Sequence, residues 1–299
     1  MPSFVSSVIR EQIRLLKPTL TRSSIPGSRS LQEALGELGS RIVGPKVRLE
    51  TFTLEDFEAC WAFPMEAALE DPRVLLYLHG GGYVAGSIRY ASGFASALAA
   101  KTAVRTLCIA YHLAPEDPYP AAVYDALTAY RYLLEQHYDP AHITLIGESA
   151  GGGLILSLCL LLRLYGLPLP GQLIPISPWT DLTLQGESYE TKRDVDVCLT
   201  REELDHYAAL YAGDLRDEPL VSPLLGDLRG LPPCTIFVGG DEILLDDSRR
   251  LHQKLLESGV ESCLHIEPGM WHAYPLYTGP EAAAVLREIR SLLEVTPHG

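Results

Sequence analysis

The chain has 299 residues, 47% of them apolar, enough to fill the core of one large domain with an appendage or of two smaller ones. Its formal charge of −14 speaks against nucleic acid and anionic membrane surfaces as partners, and mildly disfavours anionic substrates. Arg10, Glu11, Arg14 and Lys17 interrupt the N-terminus, so neither a secretion signal nor a membrane span is expected there. The longest apolar run, Leu154 to Leu162, is too short to cross a bilayer.

In chain order, the apolar periodicity predicts helices over Ser3–Leu16 and Ser30–Leu38, then a strand hairpin, Lys46–Leu54 and Phe57–Phe63. From there strand and helix alternate. Strands are expected at Arg73–Leu78, Val104–Tyr111, Ile143–Ile146, Leu173–Ser177, Thr235–Val238 and Ser262–Ile266. Helices are expected at Tyr90–Lys101, Ala121–His137, Gly152–Leu164, Arg201–Tyr211, Asp247–Gly259 and Pro280–Leu293. This is the pattern of an α/β domain: a mostly parallel sheet flanked by helices, with ligand chemistry at the carboxyl ends of the strands. Two segments fall outside the alternation, residues 1–40 and the acidic stretch 181–220. They divide the chain into a body, 41–180 and 221–299, and two excursions. The excursions read as two parts of a cap over the sheet or as solvated surface. In the first of them Phe4, Val5, Val8, Ile9, Ile13 and Leu16 recur at helical spacing and call for an apolar surface.

The chemistry concentrates at strand ends. Val74–Leu78 runs into His79-Gly80-Gly81-Gly82-Tyr83, where three glycines leave main-chain amides open to a developing negative charge. Ile143–Ile146 runs into Gly147-Glu148-Ser149-Ala150-Gly151-Gly152 and a buried helix. That is a sharp turn with a serine at its apex, aimed away from the backbone, and small residues where a Cβ would clash. No Gly-Lys-Ser/Thr follows the first motif and the second does not fit G-x-G-x-x-G, so nucleotide binding is set aside. Together the two motifs point to a serine nucleophile with an oxyanion pocket. Such a serine needs an acid and a base, which follow it in that order. Asp241 closes the strand Thr235–Val238, and His272 lies on the loop after Ser262–Ile266. Glu242, Asp246 and Asp247 are competing acids expected to cap the next helix, and His252 and His265 lie inside a helix and a strand. The six cysteines are scattered, without C-x-x-C or metal-type histidine spacing. Free thiols in a reducing cytoplasm are expected, with no disulfide and no metal.

These motifs, with Tyr111-His112-Leu113-Ala114-Pro115-Glu116, Ser177-Pro178-Trp179-Thr180-Asp181, Gly240-Asp241-Glu242-Ile243-Leu244 and Met270-Trp271-His272, make the chain from about Arg73 onward resemble the hormone-sensitive-lipase-like (family IV) carboxylesterases of the α/β-hydrolase superfamily. The resemblance implies an eight-stranded sheet, a two-part helical cap, no cofactor, a small-molecule ester as substrate and a homodimer through the last strands. It implies the triad Ser149, Asp241 and His272, with oxyanion amides from Gly81, Gly82 and Ala150 and a structural role for His79. Tyr83 and Glu148, beside those donors, are expected to face the substrate. His112, Asp117 and Glu148 depart from the residues commonest at their positions. Short-chain carboxylic esters are the expected substrates; a lactonase, deacetylase or amidase would use the same triad. A non-catalytic binder on this fold typically lacks a triad member, and none is missing here.

Overall fold

A computed structural model describes residues 2–20, 25–27, 29–30, 33, 44–65 and 71–294. The predicted helix Ser30–Leu38 lies largely outside them. The strands are β1 (Val47–Leu54), β2 (Phe57–Pro64), β3 (Val74–Leu78), β4 (Arg105–Ile109), β5 (Ile143–Glu148), β6 (Gln172–Ile176), β7 (Cys234–Gly239) and β8 (Ser262–Glu267). They form one sheet in the order β1-β2-β4-β3-β5-β6-β7-β8. β2 is antiparallel to both of its neighbours, and every other pairing is parallel. The helices are α1 (Phe4–Leu20), α2 (Ile88–Thr102), α3 (Ala121–Glu135), α4 (Ala150–Leu164), the short α5 (Ser188–Thr191), α6 (Arg201–Ala212), α7 (Leu245–Glu257) and α8 (Pro280–Glu294).

A parallel strand covered on both faces must be apolar at every position, and all of Val74–Leu78 is buried. Its side chains alternate between two cores. Val74, Leu76 and Leu78 join a cluster containing Ala126 of α3, Leu154 and Leu158 of α4 and Leu251 of α7. Leu75 and Tyr77 join the opposite cluster, with Phe94 and Leu98 of α2 and Val285 and Ile289 of α8. The sheet is thereby sandwiched, and the loops that follow its parallel strands leave from its carboxyl edge.

The segment 181–220 is bound to that edge by buried polar groups. Asp247 accepts the Thr180 and Asp181 amides at 2.8 and 2.9 Å and the Tyr189 hydroxyl at 3.0 Å. Asp246 accepts the Ser188 amide, and Asp196 accepts the Ile243 amide at 2.8 Å. Asp246 and Asp247 thus anchor this segment, whereas the sequence suggested helix caps; α7 has no side-chain cap. The N-terminal helix docks on the same region. Arg10 donates to the Gly269 and Val195 carbonyls and Lys17 to those of Asp196 and Leu199. Ile9 and Ile13 pack on the second core, while Phe4, Val5, Val8, Leu15 and Leu16 stay exposed, so only one narrow stripe of this helix finds the apolar surface its spacing calls for. All six cysteines are free thiols. Among the described residues, no helix is long and apolar enough to cross a membrane.

Candidate active site

Ser149 stands between β5 and α4 with φ 55° and ψ −122°, a conformation that non-glycine residues rarely adopt. The surroundings impose it. The Ser149 amide donates to the Ile176 carbonyl at 2.9 Å, and the Ser149 carbonyl accepts the Gly153 and Trp179 amides. A Cβ at Gly147 would strike the Gly151 carbonyl, and one at Gly151 would strike the carbonyls of Leu78 and His79. Only glycine permits β3, β5 and the elbow to approach this closely. Ala150 opens α4, so its amide is among those without a partner inside the helix.

The glycine loop after β3 lies against the elbow. Gly81 and Gly82 have φ of 123° and 64°, and the Gly81 carbonyl accepts the Val84 and Ala85 amides in a tight turn. A Cβ on Gly82 would come within 2.5 Å of the Tyr207 ring, so α6 of the 181–220 segment sits directly on this loop. Arg29 donates to the Val84 carbonyl just beyond it. His79 is fully buried and stacked on Tyr111, with centroids 4.2 Å apart; burial holds its pKa down at about 4, so it is neutral. Its Nδ1 lies 2.7 Å from the Gly80 carbonyl, which makes Nδ1 the protonated nitrogen.

The residue after His272 is tied to Ser177, which directly follows the Ile176 whose carbonyl accepts the Ser149 amide. The Ala273 amide donates to Ser177 Oγ at 3.0 Å, and the Ser177 amide donates to Phe237 O. His272 Nδ1 lies 3.1 Å from Oε2 of Glu242. Burial lowers the imidazole's proton affinity, but the hydrogen bond to Glu242 and the charge of that carboxylate more than offset it, leaving the pKa above its ordinary value. Burial pushes the Glu242 carboxyl up, and His272 draws it partly back.

The acid facing His272 is therefore Glu242, which corrects the sequence expectation of Asp241. The Asp241 amide is fixed to the Met270 carbonyl, and its side chain points outward to Arg10 at 2.9 Å and Lys192 at 3.6 Å, a quarter exposed. The next side chain turns inward and is completely buried. The structure also buries the two residues expected to face the substrate. Tyr83 does not face an open site: it is buried, with its ring stacked on Tyr211 at 3.9 Å. Glu148 runs beneath the glycine loop, where Oε1 accepts the Gly80 amide at 2.6 Å and the Tyr90 hydroxyl at 3.1 Å. Tyr207, placed on the loop by α6, had no sequence signal beyond lying in the inserted segment.

The family model that describes the α/β-hydrolase fold matches residues 75–276. The chain is 41% identical to an acetyl-hydrolase of Streptomyces hygroscopicus over 265 residues, covering 88% of this chain and 84% of that protein. It is 35% identical to an esterase of Acinetobacter venetianus, covering 75% of this chain and 76% of that protein. A crystal structure of an esterase from the bacterial hormone-sensitive lipase family matches with a TM-score of 0.92 at 36% identity, each chain covered in full. The chain belongs to the α/β-hydrolase family, in its hormone-sensitive-lipase-like branch. In this hydrolase the elbow, the glycine loop and the loops carrying the buried His272–Glu242 pair all follow parallel strands of one sheet and so leave from its carboxyl edge.

Proposed function

We propose that the protein is a serine carboxylesterase acting on short-chain esters through an acyl-enzyme, with Ser149, His272 and Glu242 as its triad. It is an ester hydrolase by family and fold. The observation that carries the triad is the 3.1 Å contact between Glu242 and His272 Nδ1, both nearly inaccessible to water, on loops that follow strands of the same sheet as the strand leading to Ser149, a serine held at positive φ. With its Nδ1 proton committed to Glu242, His272 has Nε2 free to accept the Ser149 proton. The serine oxygen adds to the ester carbonyl, and the oxyanion is held by the amides of Gly81, Gly82 and Ala150, each worth about 3 kcal/mol in the transition state. His272 returns the proton to the departing alcohol, and water releases the acyl group by the same route. Every proton transfer is assigned to a residue of the chain, so the reading calls for no cofactor.

Residues 1–40 and 181–220 act as a two-part cap over this site, and 41–180 with 221–299 as the catalytic body. The contacts of Arg10 and Lys17, and of Tyr207 with Gly82, support that division. A bulky aromatic side chain on the oxyanion loop also favours small acyl groups, as does the similarity to an acetyl-hydrolase. The edge strand β8 would serve a homodimer, and the free thiols suit the cytoplasm. Turnover of p-nitrophenyl esters from acetyl to decanoyl, beside a matched anilide, tests the reading. Acetyl to butyryl esters should dominate; a preference for decanoyl esters or for the anilide would overturn it.

A further inference from the structure

Glu148 is a completely buried carboxyl group that the mechanism above does not use, and its surroundings are organised around one peptide. The His79–Gly80 peptide is held at both ends: its carbonyl accepts the Tyr111 hydroxyl at 2.7 Å, and its amide donates to Glu148 Oε1 at 2.6 Å. The next peptide is held by its carbonyl, since His79 Nδ1–H donates to Gly80 O. In a planar trans peptide the N–H points opposite to the C=O, so fixing Gly80 O fixes the direction of the Gly81 amide. The residue that grips the Gly80 amide is also the one immediately before Ser149, and a Cβ on Gly80 would touch that of Ser149 at 3.0 Å. One side chain therefore links the nucleophile's strand to the loop that carries the proposed oxyanion donors.

We propose that Glu148 is a positioning residue for the reaction: by accepting the Gly80 amide it holds the glycine loop in the register that aims the Gly81 and Gly82 amides at the oxyanion. The proposal rests on the serine-hydrolase reading given above. Aiming matters because oxyanion donors act only if they already point at the charge when it forms. A carboxylate suits the task because a charge-assisted hydrogen bond to an amide is shorter and stronger than a neutral one. Burial pushes the Glu148 carboxyl up to about 7, against the pull of the Gly80 amide and the Tyr90 hydroxyl, so it gains its charge across neutral pH. Tyr77 on β3, Tyr90 on α2 and Tyr111 after β4 surround it. Burial raises the three tyrosines far enough to keep them neutral there, and His79 stays neutral as well.

The test compares Glu148→Leu and Glu148→Gln with wild type and Ser149→Ala, using p-nitrophenyl acetate and a trifluoromethyl ketone that forms a hemiketal oxyanion. Glu148→Leu should lose roughly 10- to 100-fold in kcat, part of what removing a whole oxyanion donor costs. KM should stay within about threefold, and ketone affinity should fall in parallel with kcat. Glu148→Gln keeps an acceptor for the Gly80 amide and should retain most of kcat. Wild-type kcat in Glu148→Leu, a loss in KM alone, or a Glu148→Gln as impaired as Glu148→Leu would overturn the proposal. If the Leu variant does not fold, Glu148→Asp, whose carboxylate is withdrawn from the Gly80 amide by about 1.5 Å, takes its place with the same expectations. Activity in Ser149→Ala would instead sink the parent reading.

Discussion

Replacing Glu242 by Gln should cripple the enzyme, while replacing Asp241 by Asn should not. Glu242 is buried and sits 3.1 Å from His272 Nδ1. Glutamine keeps the volume but removes the charge that stabilises the imidazolium. It can also turn its NH₂ toward Nδ1, which would move the ring proton to Nε2 and leave no base for Ser149. The analogous change in a serine triad costs about 10⁴ in kcat, or roughly 5 kcal/mol of barrier. Glu242→Asp withdraws the carboxylate by about 1.5 Å, one C–C bond, and should fall between Gln and wild type. Asp241→Asn loses partly exposed ion pairs with Arg10 and Lys192, each worth about 0.5–1 kcal/mol of stability at most, so kcat should stay within about threefold. Initial rates at saturating p-nitrophenyl acetate, with circular dichroism to verify folding, separate the two. A crippled Asp241→Asn beside a near-normal Glu242→Gln would refute the assignment of the acid.

The catalytic base must be neutral, and the His272 pKa is raised by Glu242, so kcat/KM should fall on acidification with its midpoint above pH 6.5, the ordinary histidine value. Stopped-rate profiles between pH 5 and 9 check this; a midpoint below 6 would contradict the pairing. Asp247→Ala would strand two buried amides and a tyrosine hydroxyl. The expected loss is roughly 3 kcal/mol, or a fall in Tm of roughly 5–10 °C. Thermal melts read it, and an unchanged Tm would remove Asp247 from its anchoring role.

The sheet was legible because each strand carries its own signal: uninterrupted apolar runs such as Val74–Leu78 fit strands covered on both faces. The glycine loop and the elbow were legible because close backbone approach restricts residue type: a Cβ at Gly147 or Gly151 would collide with neighbouring main chain. The choice between Asp241 and Glu242 was not. Two adjacent carboxylates differ only in which side of the chain they leave, and that is settled by the pairing of the Asp241 amide with Met270 O, a contact between residues distant in sequence. Glu242 does lie just before α7, which begins at Leu245, but its carboxylate goes to His272 and does not cap that helix. Glu148 and Tyr83 lie next to the right backbone groups, yet their side chains turn into the protein, and only packing reveals that.

The most direct test of the account is covalent. A p-nitrophenyl phosphonate, which mimics the tetrahedral intermediate, should react with the native protein at one site and abolish activity in proportion to labelling. Peptide mass spectrometry should place the adduct on Ser149, and Ser149→Ala should take up none while remaining folded. An adduct on any other residue, or esterase activity that survives full labelling, would contradict the assignment of Ser149 as the nucleophile.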